Sequence, residues 1–189
     1  MLLVIEGGWE LLPIGIVSLA CALAYTGGPY PLGYNGLGDV FVFLFFGLVA
    51  VGATYYVQTS ALPGDVLWVG AAIGLLATNI LVVNNYRDVE TDARAGKRTL
   101  VVRFGKRFAR WQYGASMGVA LVVPLGLWAR SDLGWTLLLP VLQTPWAIRL
   151  ARRLALSAQP AELIGLLGGT AKFLALYGLL LSVGVMFAR

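Results

Sequence analysis

Long stretches almost free of charge recur along this 189-residue chain, separated by short polar connections. An α-helix needs about 17–25 consecutive, mostly apolar residues to cross the hydrocarbon core of a bilayer. Six stretches approach or meet that length: Trp9–Tyr25, Val40–Val57, Val66–Val83, Trp111–Ala129, Leu133–Ile148 and one within Leu163–Ala188. Pro140 and Pro145 predict a kink in the fifth, because proline removes an intrahelical donor and clashes with the preceding turn. Only 12% of the residues are charged, against roughly 25% in an average soluble domain. The expected fold class is therefore all-α, a polytopic membrane helix bundle of about six transmembrane helices.

The residues that are missing narrow the chemistry. Histidine is absent and Cys21 is the lone cysteine. Histidine-based zinc sites, Ser-His-Asp triads, internal disulfides and thiolate clusters are thereby excluded. Carboxylates, amines, guanidines, amides and phenols remain. The net charge of +5 does not point to nucleic acid, because the basic residues border apolar spans rather than a soluble unit that could present them.

Those bases set the orientation. Eight Lys/Arg fall within Asn84–Arg110 and three more within Arg149–Arg153, on one face of a six-helix arrangement, against Arg130 and Arg189 on the other. By the positive-inside rule the segment 84–110 is cytoplasmic, in a multi-pass protein of the cell membrane. The Tyr25–Tyr34 loop falls on the same side by parity.

Sixteen residues, Asn84–Thr99, concentrate three acids, four bases and two amides at the end of the third span. Were that helix to continue, Asn84, Asp88 and Asp92 would form one stripe at four-residue spacing. Like-charged acids so spaced repel unless a cation lies between them. An oxygen-only donor set favours a hard ion such as Mg²⁺, which completes its shell with water and phosphate oxygens. Arg94, Lys97 and Arg98, and then Arg103, Lys106 and Arg107, follow as phosphate donors, and Gly96 supplies a turn that could fold the basic side chains back over the acids. The alternative for Glu90, Arg103, Arg107 and Arg110 is that they are plain topology anchors. Anchoring does not call for acids, since negative residues contribute little to orientation.

Two other features bear on a site. The Tyr25–Tyr34 loop, dense in glycine, proline and tyrosine, reads either as a turn with an aromatic belt or as a loop approaching a ligand. Asn35–Asp39 repeats the Asn-x-x-x-Asp spacing, but its two glycines argue against a helical stripe, so Asp39 reads as a residue near a helix start. Lys172, inside the last span, reads as snorkelling or facing a cavity.

Two passages resemble the UbiA superfamily of intramembrane prenyltransferases, and within it the naphthoate-prenylating branch of menaquinone synthesis. One is Tyr25-Thr26-Gly27-Gly28-Pro29-Tyr30-Pro31-Leu32-Gly33-Tyr34 with Thr54–Gln58. The other is Asn84-Asn85-Tyr86-Arg87-Asp88 to Asp92 with Gly96-Lys97-Arg98-Thr99-Leu100. The resemblance implies a nine-helix bundle with two facing aspartate-rich motifs. These residues would supply the second motif: Asp88 and Asp92 as catalytic ligands of Mg²⁺, with Lys97, Arg98, Arg94, Asn84 and Tyr25 binding substrate. It also implies that residues 1–189 form a single, N-terminally truncated prenyltransferase domain. The family's first three helices and first metal motif would then have no counterpart here, and the isolated chain would be inactive.

The implied reaction is Mg²⁺-dependent transfer of a polyprenyl group from polyprenyl diphosphate to 1,4-dihydroxy-2-naphthoate, with loss of carbon dioxide, giving demethylmenaquinone. The partners implied are those two substrates and the lipid bilayer. The competing readings are a prenyltransferase for another ring, of hydroxybenzoate or homogentisate type, and a non-catalytic membrane remnant.

Overall fold

The computed structural model describes residues 2–157 and 159–188, the side chains of Leu2, Leu3 and Glu6 excepted. Among the described residues there are helices and no strands. They are α1 (Leu2–Gly7), α2 (Leu11–Thr26), α3 (Gly38–Thr59), α4 (Gly64–Arg87), α5 (Val89–Arg94), α6 (Leu100–Trp128), α7 (Thr144–Leu156) and α8 (Pro160–Met186). Short 3-10 stretches at Leu32–Asn35 and Trp135–Gln143 join them.

The chain is an all-α membrane helix bundle. Three helices, α3, α4 and α8, are long and apolar enough to cross a bilayer. The other anticipated spans take different forms. The first is the 16-residue α2, shorter than a perpendicular crossing requires. The fourth lies inside α6, which is two helical pieces joined by a kink at Gly105 (φ 81°, ψ 170°), with the basic residues on both sides of that kink. The fifth is not one kinked helix. Its first part is the 3-10 stretch containing Pro140, and Pro145 sits in the opening turn of α7, where its missing N–H costs nothing.

α4 is the central post. Pro63, held extended at ψ 151°, ends the preceding connection, and Asp65 in the first turn complements the positive end of the helix dipole. Its buried side chains Ala72, Leu76, Val82, Val83 and Tyr86 meet Tyr113, Met117 and Ala120 of α6 and Phe173, Tyr177 and Leu181 of α8 in one core. On its opposite side α3 passes at backbone distance. A Cβ on Gly47 would lie 2.5 Å from the Gly70 carbonyl oxygen and 2.6 Å from the Gly74 Cα. Such close approach supplies the dispersion contact that holds helices together where lipid offers no hydrophobic contrast. α3 accommodates this crossing with a wider π-helical turn at Phe43–Val49.

Polar bonds link the helices in the buried core. Asn79 donates to the Tyr113 carbonyl at 3.0 Å, the Tyr113 and Thr170 hydroxyls share a 2.7 Å bond, and Tyr177 donates to the Ala120 carbonyl at 2.6 Å. Lys172, midway along α8, is exposed. Arg189, counted above among the charges of the opposite face, lies outside the described residues.

The end of α2, the start of α3, the end of α4 and the start of α6 converge at one end of the bundle. The tyrosine loop and the charged segment therefore meet, as parity suggested, and the Arg98 N–H closes the junction on the Tyr34 carbonyl at 2.7 Å.

Candidate functional site

Between the tyrosine loop and the charged segment lies a cavity of about 260 Å³. Its walls are Tyr25, Thr26, Gly33, Tyr34, Gly36, Gly38 and Asp39 on one side and Leu81, Asn84, Asn85, Asp92, Lys97 and Thr99 on the other. Two carboxylates, two amides, two phenols and one ammonium thus surround a space at the end of an otherwise apolar bundle.

Local backbone chemistry explains how Lys97 reaches this space. α4 stops at Arg87, and Asp88, at φ −97° and ψ 10°, separates it from α5. The unbroken Asn84–Asp88–Asp92 stripe of one long helix is therefore interrupted at its middle member. α5 then closes in a Schellman turn: Gly96 donates to the Ala93 carbonyl at 3.1 Å and Lys97 to the Asp92 carbonyl at 2.9 Å. Gly96 takes φ +74°, a left-handed conformation that a side chain would strain. The chain reverses, and the Lys97 ammonium lands 2.7 Å from Asp92 Oδ1 and 5.1 Å from the centre of the Tyr34 ring. The Asp92 carboxylate is buried, and this bond holds the Lys97 ammonium above its ordinary pKa.

A second cation serves the other two members of the stripe. Arg87 grips Asp88 with Nε to Oδ1 and Nη2 to Oδ2, both at 2.7 Å, while Nη2 also reaches Asn84 Oδ1 at 2.9 Å. The bidentate guanidinium keeps the Asp88 carboxyl below its usual range. The repulsion expected between spaced acids is thus relieved by cations of the chain itself.

The residues proposed from sequence divide accordingly. Asp92, Lys97, Asn84 and Tyr25 line the cavity. The Tyr25 ring packs where a Cβ on Gly33 would come within 3.1 Å, and its hydroxyl lies equally close to the corresponding position on Gly38. Asp88 sits outside the lining, bound to Arg87. Arg98 contributes its backbone while its side chain is exposed, and Arg94 turns back along α5, with Nε 3.3 Å from the Glu90 carbonyl.

Asp39, read from sequence as a residue near a helix start, stands there, and the fold also brings it to the cavity. It is 6% exposed in the first turn of α3, lines the cavity, and accepts from Gln112 Nε2 at 2.9 Å. The repeated Asn-x-x-x-Asp spacing was the available signal, and the glycines that argued against a stripe instead let the chain turn Asp39 inward. Arg87 was given no role, although its position one residue before Asp88 and three after Asn84 puts it within reach of both.

Among the described residues no three acids, cysteines or histidines converge. The oxygen donors that do gather, Asp92 and Asn84 at the cavity and Asp88 beside it, are all hard and each is already satisfied by a cation. A hard ion such as Mg²⁺ would have to displace Lys97 from Asp92 and Arg87 from Asp88 and Asn84 to use them.

An apolar helix bundle with an acid-and-base cleft at one end defines the class, a membrane protein whose charged groups gather at one end of an apolar body. The UbiA prenyltransferase family matches residues 1–176, and the chain belongs to that family. The 1,4-dihydroxy-2-naphthoate octaprenyltransferase of Haemophilus influenzae is 38% identical over 173 residues, 92% of this chain and 56% of the relative. That of Escherichia coli K12 is 36% identical over 180 residues, 93% and 57% of the respective chains. UbiA prenyltransferase domain-containing protein 1 of Gallus gallus is 31% identical over 171 residues, covering 90% and 49%. The chain spans about half the length of these three relatives.

Proposed function

We propose that this chain forms part of a prenyltransferase that moves a polyprenyl group from its diphosphate to 1,4-dihydroxy-2-naphthoate, a step in menaquinone synthesis. One observation carries the reading: the Lys97–Asp92 pair and the Arg87–Asp88–Asn84 cluster bring cations and oxygen donors together at the polar end of an apolar bundle. The naphthoate acceptor is supported by the names of the relatives in Haemophilus influenzae and Escherichia coli.

Lys97 and Arg87 are the groups that receive the diphosphate, exchanging one anionic partner for another. Asp92 and Asn84, with Asp88 once Arg87 has released it, would hold Mg²⁺, which when bound would offset charge growing on the departing diphosphate. Arg98, exposed beside Lys97, and Arg94 are further donors as the anion enters. Tyr25 and Tyr34 offer ring faces to an allylic centre as it becomes positive. The apolar walls below exclude water from that centre. The cleft faces the cytoplasm, where Mg²⁺ is available and the released diphosphate can leave.

The test uses membranes carrying the complete reading frame that contains these residues. Labelled polyprenyl diphosphate and dihydroxynaphthoate should yield prenylated product with Mg²⁺ and none after chelation. Asp92→Ala and Asp88→Ala should each abolish product. Undiminished turnover in both variants would remove the metal-and-diphosphate reading. Preferential use of 4-hydroxybenzoate or homogentisate would reassign the acceptor, and no consumption of any acceptor would indicate a non-catalytic protein.

A further inference from the structure

The Asp39 carboxylate has no part in binding metal or diphosphate as described above, yet it is placed at considerable cost. A buried ionisable group is retained in an apolar bundle only when something specific satisfies it. Gln112, reaching across from α6, donates to Oδ1 at 2.9 Å. Thr78 of α4 bonds the Asp39 backbone carbonyl at 3.3 Å, so three helices fix this one residue. Among the described residues no side chain donates to Oδ2, and Asp39 forms part of the cavity wall opposite Asp92 and Lys97.

The groups that face it are Tyr25 from α2, Asn84 from α4, and Asp92 with Lys97 from the charged segment. The one cation of that set, Lys97, is already engaged by Asp92. What Asp39 brings to the cavity wall is therefore a carboxylate to which Gln112 is the one side-chain donor among the described residues, at the boundary between the charged mouth and the apolar interior. Gln112 fixes its direction, and the buried Gln112 Oε1 has no partner of its own. The amide cannot turn over without bringing that oxygen against the carboxylate.

We propose that Asp39 recognises the aromatic acceptor, its carboxylate taking the hydrogen bond of a ring hydroxyl, and that Gln112 is the positioning residue that aims it. The proposal rests on the prenyl-transfer reading above and adds the group that selects a hydroxylated ring. The hydroxyl proton stays on the ring oxygen, and the bond orients the ring between Tyr25 and the diphosphate end of the cleft. A hydrogen bond to a charged acceptor is worth roughly tenfold to a hundredfold in affinity. A site built around one rejects an analogue that cannot donate.

The probes are 4-hydroxy-2-naphthoate and its methyl ether, 4-methoxy-2-naphthoate, titrated by their own fluorescence against the purified chain in detergent micelles. Inorganic diphosphate with Mg²⁺ is titrated in parallel. The wild type should bind the hydroxy compound roughly 10–100-fold more tightly than the ether. In Asp39→Asn the amide oxygen stays with Gln112 and the NH₂ group faces the cavity, where hydroxyl and methoxy oxygens accept equally well. The preference should fall to within about twofold while diphosphate affinity is unchanged. Gln112→Met keeps the carboxylate but not its aim, and should reduce the preference several-fold; it carries the test if Asp39→Asn does not fold.

No hydroxyl preference in the wild type, or a preference kept in the variants, overturns the role of Asp39. Where diphosphate still binds, the prenyl-transfer reading survives that result. Loss of diphosphate binding by the wild type as well would overturn both.

Discussion

Replacing Lys97 by alanine removes the ammonium that lies 2.7 Å from Asp92 Oδ1, and the two side chains differ sharply in exposure, 32% for Lys97 and 8% for Asp92. The cost follows from that asymmetry. Breaking a fully buried ion pair costs about 3–5 kcal/mol, because the remaining charge is stranded. An exposed pair contributes about 0–1 kcal/mol. Here the carboxylate is stranded but the ammonium was partly solvated, which places the loss near 2 kcal/mol, roughly 30-fold in the folding equilibrium.

Reversible unfolding in mixed micelles would measure it, with Asp92→Asn and the double variant completing a cycle. The coupling should come to about 1–2 kcal/mol. The Asp92 bond raises the Lys97 pKa above its ordinary 10.5, so this contribution is whole below 10.5 and disappears as pH rises through the higher folded value. The wild-type advantage should thus be flat between pH 7 and 9 and shrink in strong alkali. The same substitution should weaken inorganic diphosphate binding about tenfold, the value of one charge-assisted contact. A coupling below about 0.3 kcal/mol, within the error of additive sites, would refute the pairing on which this reasoning stands.

Other perturbations probe the scaffold. Gly47→Val puts a branched side chain where even a Cβ would lie 2.5 Å from the Gly70 carbonyl; overpacking of this kind should cost about 1–3 kcal/mol and lower the midpoint of thermal unfolding in detergent. Gly96→Ala forces a side chain into φ +74°, should cost about 1 kcal/mol, and should weaken diphosphate binding because Lys97 depends on that turn. Arg87→Ala should destabilise by about 0.5–1 kcal/mol at pH 7. The Asp88 carboxyl is held below its ordinary 3.8, so that difference should be present above 3.8 and vanish as pH falls through the lower folded value. Tyr113→Phe removes the 2.7 Å bond to Thr170 in the core and should cost about 0.6–1 kcal/mol, with coupling to Thr170→Ala showing that the loss belongs to this pair.

Amino-acid order alone determined a good deal here. Hydrophobic runs at span length imply helices in lipid, because a bilayer leaves few ways to satisfy the backbone. The absence of histidine and the single cysteine restrict the chemistry to oxygen and nitrogen donors. The clustered acids and bases of Asn84–Thr99 mark the site, and the left-handed preference of Gly96 announces the turn that returns Lys97 to Asp92. These are local properties, legible within a few residues.

Tertiary structure decided what depends on groups distant in sequence. Asp39 and Gln112 are 73 residues apart, and no local pattern says that α3 and α6 will pack so as to bury one against the other. Periodicity gave Asp88 and Asp92 equal standing, but the helix break at Asp88 sends the two carboxylates to different cations, one to Arg87 beside the cavity and the other to Lys97 within it. Local spacing measures distance along a helix. Whether a side chain faces a cavity is set by what packs around it.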